Sequence, residues 1–185
     1  MKLNQQPIKT DNKSIYDKIF IRKQAIQGLT HVRVLDLFAG RNVLWNNIVT
    51  EDYFGIDREK YKGKNLVADS HKIFDSLDLR NFTVIDVDSY GISFDIYKKL
   101  FSRKDLQSGT VIIYTAITNE FTKIRNEAKI EFNFDKFYNK APSLFNARAI
   151  EFFYEMLAKY GISEVNYYEI RDHFLKHYGY FIINR

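Results

Sequence analysis

The chain has 185 residues, 45% hydrophobic and 28% charged, with 28 Lys+Arg against 23 Asp+Glu and no Cys. That length suits one domain with its own core, and the lack of Cys excludes disulfides and thiolate metal sites and fits a reducing cytoplasm. The opening MKLNQQPIKTDNKS has no apolar signal stretch, and no run approaches the ~20 apolar residues of a membrane-spanning helix, so a soluble chain with no membrane partner is expected.

The net charge of +5 is uneven. Up to Arg33 there are seven basic residues (Lys2, Lys9, Lys13, Lys18, Arg22, Lys23, Arg33) and two acids, Asp11 and Asp17, so the whole excess lies in this segment. An anionic partner at a basic N-terminal helix is the natural expectation.

In chain order, Asp11 to Gln27 reads as a helix, with Ile15, Ile19, Ala25 and Ile26 at roughly helical spacing and Gly28 as its stop. HVRVLDLF (31–38) reads as a buried strand ending in the turn AGRN. Val43 to Val49 is a short helix, YFGID (53–57) a second strand and NLVA (65–68) a third. Ser70 to Leu77 fits a helix with Asp69 or Ser70 as N-cap. NFTVIDVD (81–88) is a fourth strand, Ile92 to Phe101 a helix and GTVIIYTAI (109–117) a fifth strand. Phe121 to Lys140 is aromatic and nearly neutral, a substrate lid or a solvated helical flap. Pro142 to Tyr160 is a helix whose Phe145, Ala149, Phe152, Phe153, Met156 and Tyr160 form a core stripe. VNYYEI (165–170) and YGYFIIN (178–184) close the chain, joined too briefly for a crossover helix.

Strands alternating with helices predict an α/β fold: a doubly wound, mostly parallel seven-stranded sheet with helices on both faces and an antiparallel C-terminal edge pair. Ligands of such sheets bind beyond the carboxyl ends of the strands, and there Asp36, Asp57, Asp69, Asp86 and Asp88 collect. In the first turn, Asp36-Leu37-Phe38-Ala39-Gly40-Arg41-Asn42, the small Ala39 and Gly40 admit a ligand to the backbone, and Asn42 tolerates a left-handed conformation almost as Gly does. One glycine is too few for a nicotinamide dinucleotide fingerprint. The four His are scattered, so no metal site is expected.

DLFAGRN resembles the first motif of class I S-adenosylmethionine-dependent methyltransferases. The resemblance extends over Val32 to Arg185 and implies S-adenosyl-L-methionine as cofactor, with Asp57 toward the ribose hydroxyls and Asp69 near the adenine amino group. Asp36, Phe38, Ala39, Gly40, Asn42, Ser70 and Asp86 complete the implied cofactor-binding set. With no internal repeat and no low-complexity segment, the chain reads as one methyltransferase-like domain over 1–185, with 1–30 a basic helical extension.

D86-V87-D88-S89-Y90-G91 is similar to the D-x-D-P-F/Y-G stretch of tRNA guanine-N2 methyltransferases. By that resemblance Asp88 would hold an exocyclic amine and Tyr90 would stack on the base, with RNA favoured over DNA as partner. Asn42 stands for the usual second glycine and Ser89 for the usual proline. These departures motivate an alternative, a non-catalytic binding domain of the same fold for nucleic acid or protein.

Overall fold

A computed structural model describes residues 14–60, 66–118, 129–130, 135–171 and 175–184. The first residues of the expected N-terminal helix, Asn65, most of the Phe121–Lys140 segment and His173 lie outside the described residues.

The order is α1 (Ile15–Ala25), β1 (Arg33–Asp36), a 3-10 turn (Trp45–Asn47), β2 (Asp52–Asp57), β3 (Leu66–Val67), α2 (Ser70–Ile73), β4 (Val84–Val87), α3 (Phe94–Ser102), β5 (Val111–Thr118), α4 (Asp135–Tyr138), α5 (Pro142–Ala147), α6 (Ala149–Lys159), β6 (Asn166–Arg171) and β7 (Leu175–Ile182). The strands form one seven-stranded sheet, β3-β2-β1-β4-β5-β7-β6. The first five pair in parallel, while β7 runs antiparallel to both β5 and β6, as the brief connection between the last two strands requires.

Both faces of the central strands are apolar, so each must be covered. Leu35, Leu37, Ile85, Val87, Ile112 and Tyr114 face one layer, packed with Phe74, Ile96, Tyr97, Phe153 and Met156. Val34, Val84, Val111, Ile113 and Tyr178 face the other, covered by Trp45 and by Ile21 and Ala25 of α1. These two are the only apolar side chains of α1 that are fully buried. At ~1.5–3 kcal/mol for a buried Ile, they hold the helix modestly, and its polar contacts matter correspondingly.

Three expected helices are shorter than their apolar patterns. Val43 to Val49 is only a 3-10 turn, because Asn46 and Asn47 interrupt it and Trp45 turns inward. The helix after Asp69 tightens into 3-10 from Phe74 to Ser76. Pro142 to Tyr160 breaks at Arg148, where α5 ends and α6 begins. The break separates a helix with no buried residue from one that buries six, while Phe145 still packs on Tyr138 and Phe152.

Candidate functional site

β1 leaves the sheet at Asp36 in register with Asp86 of β4, and the first turn is pinned from below. The Leu37 N–H donates to the Asp86 carbonyl at 3.0 Å, Ala39 to the Ile56 carbonyl at 3.0 Å and Asn42 to the Ala39 carbonyl at 2.8 Å. Gly40 and Asn42 both take left-handed backbone, at φ 51° and 56°. The Asn42 Oδ1 is buried without a hydrogen-bond partner, and a Cβ built on Gly40 would meet no atom within 4 Å.

Asp57, at the end of β2, gathers this turn: its carboxylate accepts the Gly40 N–H at 2.8 Å and the Glu59 N–H at 2.8 Å. Asp69 caps α2 by accepting the His71 N–H at 3.1 Å and pairs with the exposed Arg58 at 2.9 Å. The Ser70 hydroxyl donates to the Leu37 carbonyl, tying α2 to the same turn. Phe38 packs on the His71 ring at 5.6 Å. Thus Phe38, Ala39, Gly40, Asn42, Asp57, Asp69 and Ser70 converge at the carboxyl ends of β1 to β3.

Asp36 and Asp86 belong to the support beneath. Asp36 is 3% exposed, accepts the Phe38 N–H at 3.1 Å and accepts the Tyr53 hydroxyl at 3.0 Å. Burial, then the neighbouring Asp86 charge, push its carboxyl well above the usual range. Asp86 is fully buried and receives the Trp45 Nε1–H at 2.7 Å and the Arg22 Nε–H at 2.8 Å.

Beyond β4, Asp88 is clamped from α1. Lys18 Nζ donates to Oδ1 at 2.8 Å and to Oδ2 at 2.9 Å, while Arg22 Nη2 bridges Asp86 at 2.8 Å and Asp88 at 3.1 Å. Arg22 Nη1 also holds the Lys18 carbonyl at 2.9 Å. Burial raises the proton affinity of Asp88, but Lys18, Arg22 and the Thr115 hydroxyl reverse this and hold its carboxyl well below the ordinary carboxylate range. Ser89 donates to the Gly91 carbonyl at 3.1 Å, closing the motif on itself, and Tyr90 is 78% exposed.

Lys18 and Arg22, counted in the basic excess, are therefore not free for phosphates; they are paired to Asp86 and Asp88. With Trp45, Tyr53 and Thr115, they are the site residues that sequence reasoning missed. One signal was available. Arg22 lies between Ile21 and Ala25 on the inward face of α1, and a cation there needs a buried anion.

His177 is bonded to Tyr154 at 2.6 Å and Glu169 at 3.0 Å, a link between α6, β6 and β7. Among the described residues no group of three or more His, Cys, Asp or Glu could hold a metal, and no helix is long and apolar enough to cross a membrane. Among the described residues, a cavity of about 440 Å³ lies against Asp78, Arg80, Arg103 and Asp105 and one of about 90 Å³ against Gly161, Glu164, Asn166 and Asn184; neither borders Gly40, Asp57 or Asp69.

No family model and no curated protein match the chain. Solved structures do. Trm1 from Pyrococcus horikoshii, in complex with S-adenosyl-L-methionine, aligns with a TM-score of 0.58 at 14% identity, over 100% of this chain and 58% of that one. The fold is the Rossmann-like methyltransferase fold. Phosphoethanolamine N-methyltransferase 2 of Haemonchus contortus, also with S-adenosyl-L-methionine, aligns with a TM-score of 0.55 at 10% identity, over 92% of this chain and 53% of its own. A SAM-dependent methyltransferase of Archaeoglobus fulgidus gives 0.51 at 15% identity, over 85% and 72%. This chain thus spans little more than half the length of the first two.

Proposed function

We propose that this protein is an S-adenosylmethionine-dependent methyltransferase that modifies an exocyclic amino group of a nucleic-acid base, with RNA the favoured acceptor. The observation that carries the reading is the arrangement at the carboxyl edge of the sheet: a small-residue turn gathered by Asp57 lies beside the β4 motif that presents Asp88 and Tyr90. It rests also on the fold, whose solved neighbours include proteins crystallised with S-adenosyl-L-methionine.

The cofactor fits the residues present. Gly40 leaves room above its Cα, Asn42 holds an unpartnered buried oxygen, and Asp57 and Asp69 are partly exposed acceptors at the ends of neighbouring elements. Gly40, Asn42, Asp57, Asp69 and Ser70, with Phe38 and Ala39 at the turn, would hold it, while Asp36 and Asp86 keep the turn in place from below. When bound, S-adenosylmethionine supplies an electrophilic methyl group.

The chain's own task is to position the nucleophile, where most of the acceleration in a displacement arises. An exocyclic amine has its lone pair delocalised into the ring. A carboxylate at Asp88 that accepts one of its N–H bonds, and then the released proton, counters that weakness. Tyr90 offers an uncovered ring to the base, worth ~1–3 kcal/mol where such stacking is realised.

The test is calorimetry with S-adenosylmethionine on wild type and Asp57→Ala, followed by methyl incorporation into RNA by wild type and Asp88→Asn. Binding is expected in wild type and weakened in Asp57→Ala. Asp88→Asn should bind cofactor normally and lose incorporation. Absence of binding to the wild type at high micromolar cofactor defeats the enzymatic reading, and full activity in Asp88→Asn defeats the role of Asp88.

A second reading, a non-catalytic binding domain of this fold for nucleic acid or protein, is favoured by one observation: both oxygens of Asp88 are already engaged by Lys18. It predicts nucleic-acid or protein binding that ignores added cofactor.

A further inference from the structure

The two cations on Asp88 are held very differently. Arg22 is built into the core: it is 1% exposed, its Nε and Nη2 both reach Asp86, and Nη1 ties it to the helix backbone at Lys18. Lys18 stands at the rim, its side chain 17% exposed, its ammonium directed onto Asp88 with the Tyr178 ring 5.2 Å away. An ammonium on a four-carbon stem changes place by side-chain rotation alone. The helix need not follow, because Ile21, Ala25 and Arg22 keep it on the sheet.

Arg22 Nη2, 3.1 Å from Oδ2, is a second cation on Asp88 that belongs to the buried core rather than to the rim. Tyr90, two residues on, faces solvent with 78% of its surface. The rim therefore presents a carboxylate, an uncovered aromatic ring and, between carboxylate and solvent, one removable N–H donor.

We propose that the Lys18 ammonium occupies the position on Asp88 that a nitrogen donor of the acceptor takes, so that Lys18 is a resident competitor of the acceptor amine and swings out while α1 remains docked. The assignment rests on Asp88 being the acceptor-binding carboxylate of the function proposed above. It extends that function by making acceptor selection a displacement: only a group that donates hydrogen bonds to both or either oxygen replaces what Lys18 gives up. Departure of Lys18 also raises the proton affinity of Asp88 as the acceptor arrives, which suits a carboxylate that must later take a proton.

Two measurements on the full chain test this. In the first, Lys18→Met keeps the stem and removes the donor. Steady-state methyl transfer from labelled S-adenosylmethionine to unmodified total RNA should show KM for RNA lowered roughly three- to tenfold with kcat held, because a competing occupant reduces apparent affinity by the fraction of sites it fills. In the second, wild-type protein is acetylated with acetic anhydride and its lysines are followed by peptide mass spectrometry. Lys18 should react more slowly than the exposed Lys23, and total RNA should speed Lys18 while leaving Lys23 unchanged or slower. Lys18 labelling that RNA does not accelerate overturns the proposal, whether or not methyl transfer is seen. An unchanged KM in an active Lys18→Met overturns it as well. Absence of transfer by both proteins strikes the methyltransferase reading instead, and the labelling result then decides the Lys18 assignment alone.

Discussion

Arg22 Nε lies 2.8 Å from Asp86 Oδ2, a buried ion pair between residues 64 apart in the chain. It joins the first helix to the fourth strand and, through the same guanidinium, to Asp88. Asp86 depends on it most, because burial disfavours its ionised form and the Arg22 charge opposes that, whereas Asp88 also has Lys18.

Arg22→Met should accordingly cost about 3–5 kcal/mol, the penalty of leaving a buried charge uncompensated. Arg22→Lys restores the charge but not the fork that reaches both carboxylates, and should recover only part of the loss. The chain's one tryptophan, Trp45, has its ring 5.9 Å from this guanidinium, so urea unfolding followed by its fluorescence reads the effect at the site itself. Equal midpoints for wild type and the Met variant would remove the clamp from the stability account.

Asp36 sets a pH dependence of the opposite sense to that of Asp88. Its folded carboxyl is raised by burial and by Asp86, so its contribution is fully present below the unfolded carboxylate pKa and is lost as pH rises toward the raised folded value. The slope contributed by one group in that window is at most about 1.4 kcal/mol per pH unit. Asp36→Asn keeps an oxygen for Phe38 and offers an amide to Tyr53 while removing the proton uptake. Between pH 5 and 8 the variant should gain on the wild type as pH increases; urea midpoints that run parallel across that range would show that Asp36 is ionised in the folded protein. Asp88, held low by Lys18 and Arg22 against burial, contributes stability above the unfolded carboxylate pKa that is lost only in strong acid.

Asn42 carries the left-handed backbone of the first turn at φ 56°. Asn42→Ala should cost about 1–2 kcal/mol, the penalty of that conformation for an ordinary side chain. Asn42→Gly removes both the strain and the orphaned Oδ1 and should match or exceed wild-type stability. Thermal unfolding of the three proteins checks the order, and an Ala variant as stable as the Gly variant would mean that the turn can reshape.

Gly179 of β7 faces a closed space. A Cβ there would stand 2.5 Å from the Tyr114 hydroxyl and nearer still to the Asn166 carbonyl. Gly179→Ala should therefore destabilise by about 1–3 kcal/mol, as overpacking of a filled interior does. Pairing it with Tyr114→Phe, which removes the crowded oxygen, should return part of that loss in a double-mutant cycle. Strict additivity would place the clash on the Asn166 carbonyl.

Most of the sheet was legible from periodicity, because strands buried on both faces read as continuous apolar runs, and 84–87 and 111–118 are of that kind. The left-handed turn at Asn42 and the Asp69 cap were legible too, since both follow from a residue type in a local pattern. Helix lengths were not. The apolar stripe from Phe145 to Tyr160 runs unbroken in the sequence, yet the helix yields at Arg148, between a segment that buries nothing and one that buries six residues, a difference set by tertiary packing that a local pattern does not carry. Of the clamp, only the need of Arg22 for some buried anion was legible, not which acids meet it or that Lys18 joins it. Lys18 and Asp88 are 70 residues apart, and a basic residue on a helix reads as solvated until the opposing acid is in view.

The strand order also bears on how the protein is made. β5 is built early, but the neighbour that covers its outer edge, β7, is specified by residues 175–182. Until those residues leave the ribosome, the Val111–Thr118 strand carries a row of unpaired backbone groups among strongly β-prone side chains, an invitation to intermolecular pairing. Released chains that end before Leu175 should aggregate or recruit holdase chaperones, whereas released chains carried through Ile182 should not; sedimentation of the two released products would separate them. Emergence of β7 is then the event that commits the nascent chain to solubility.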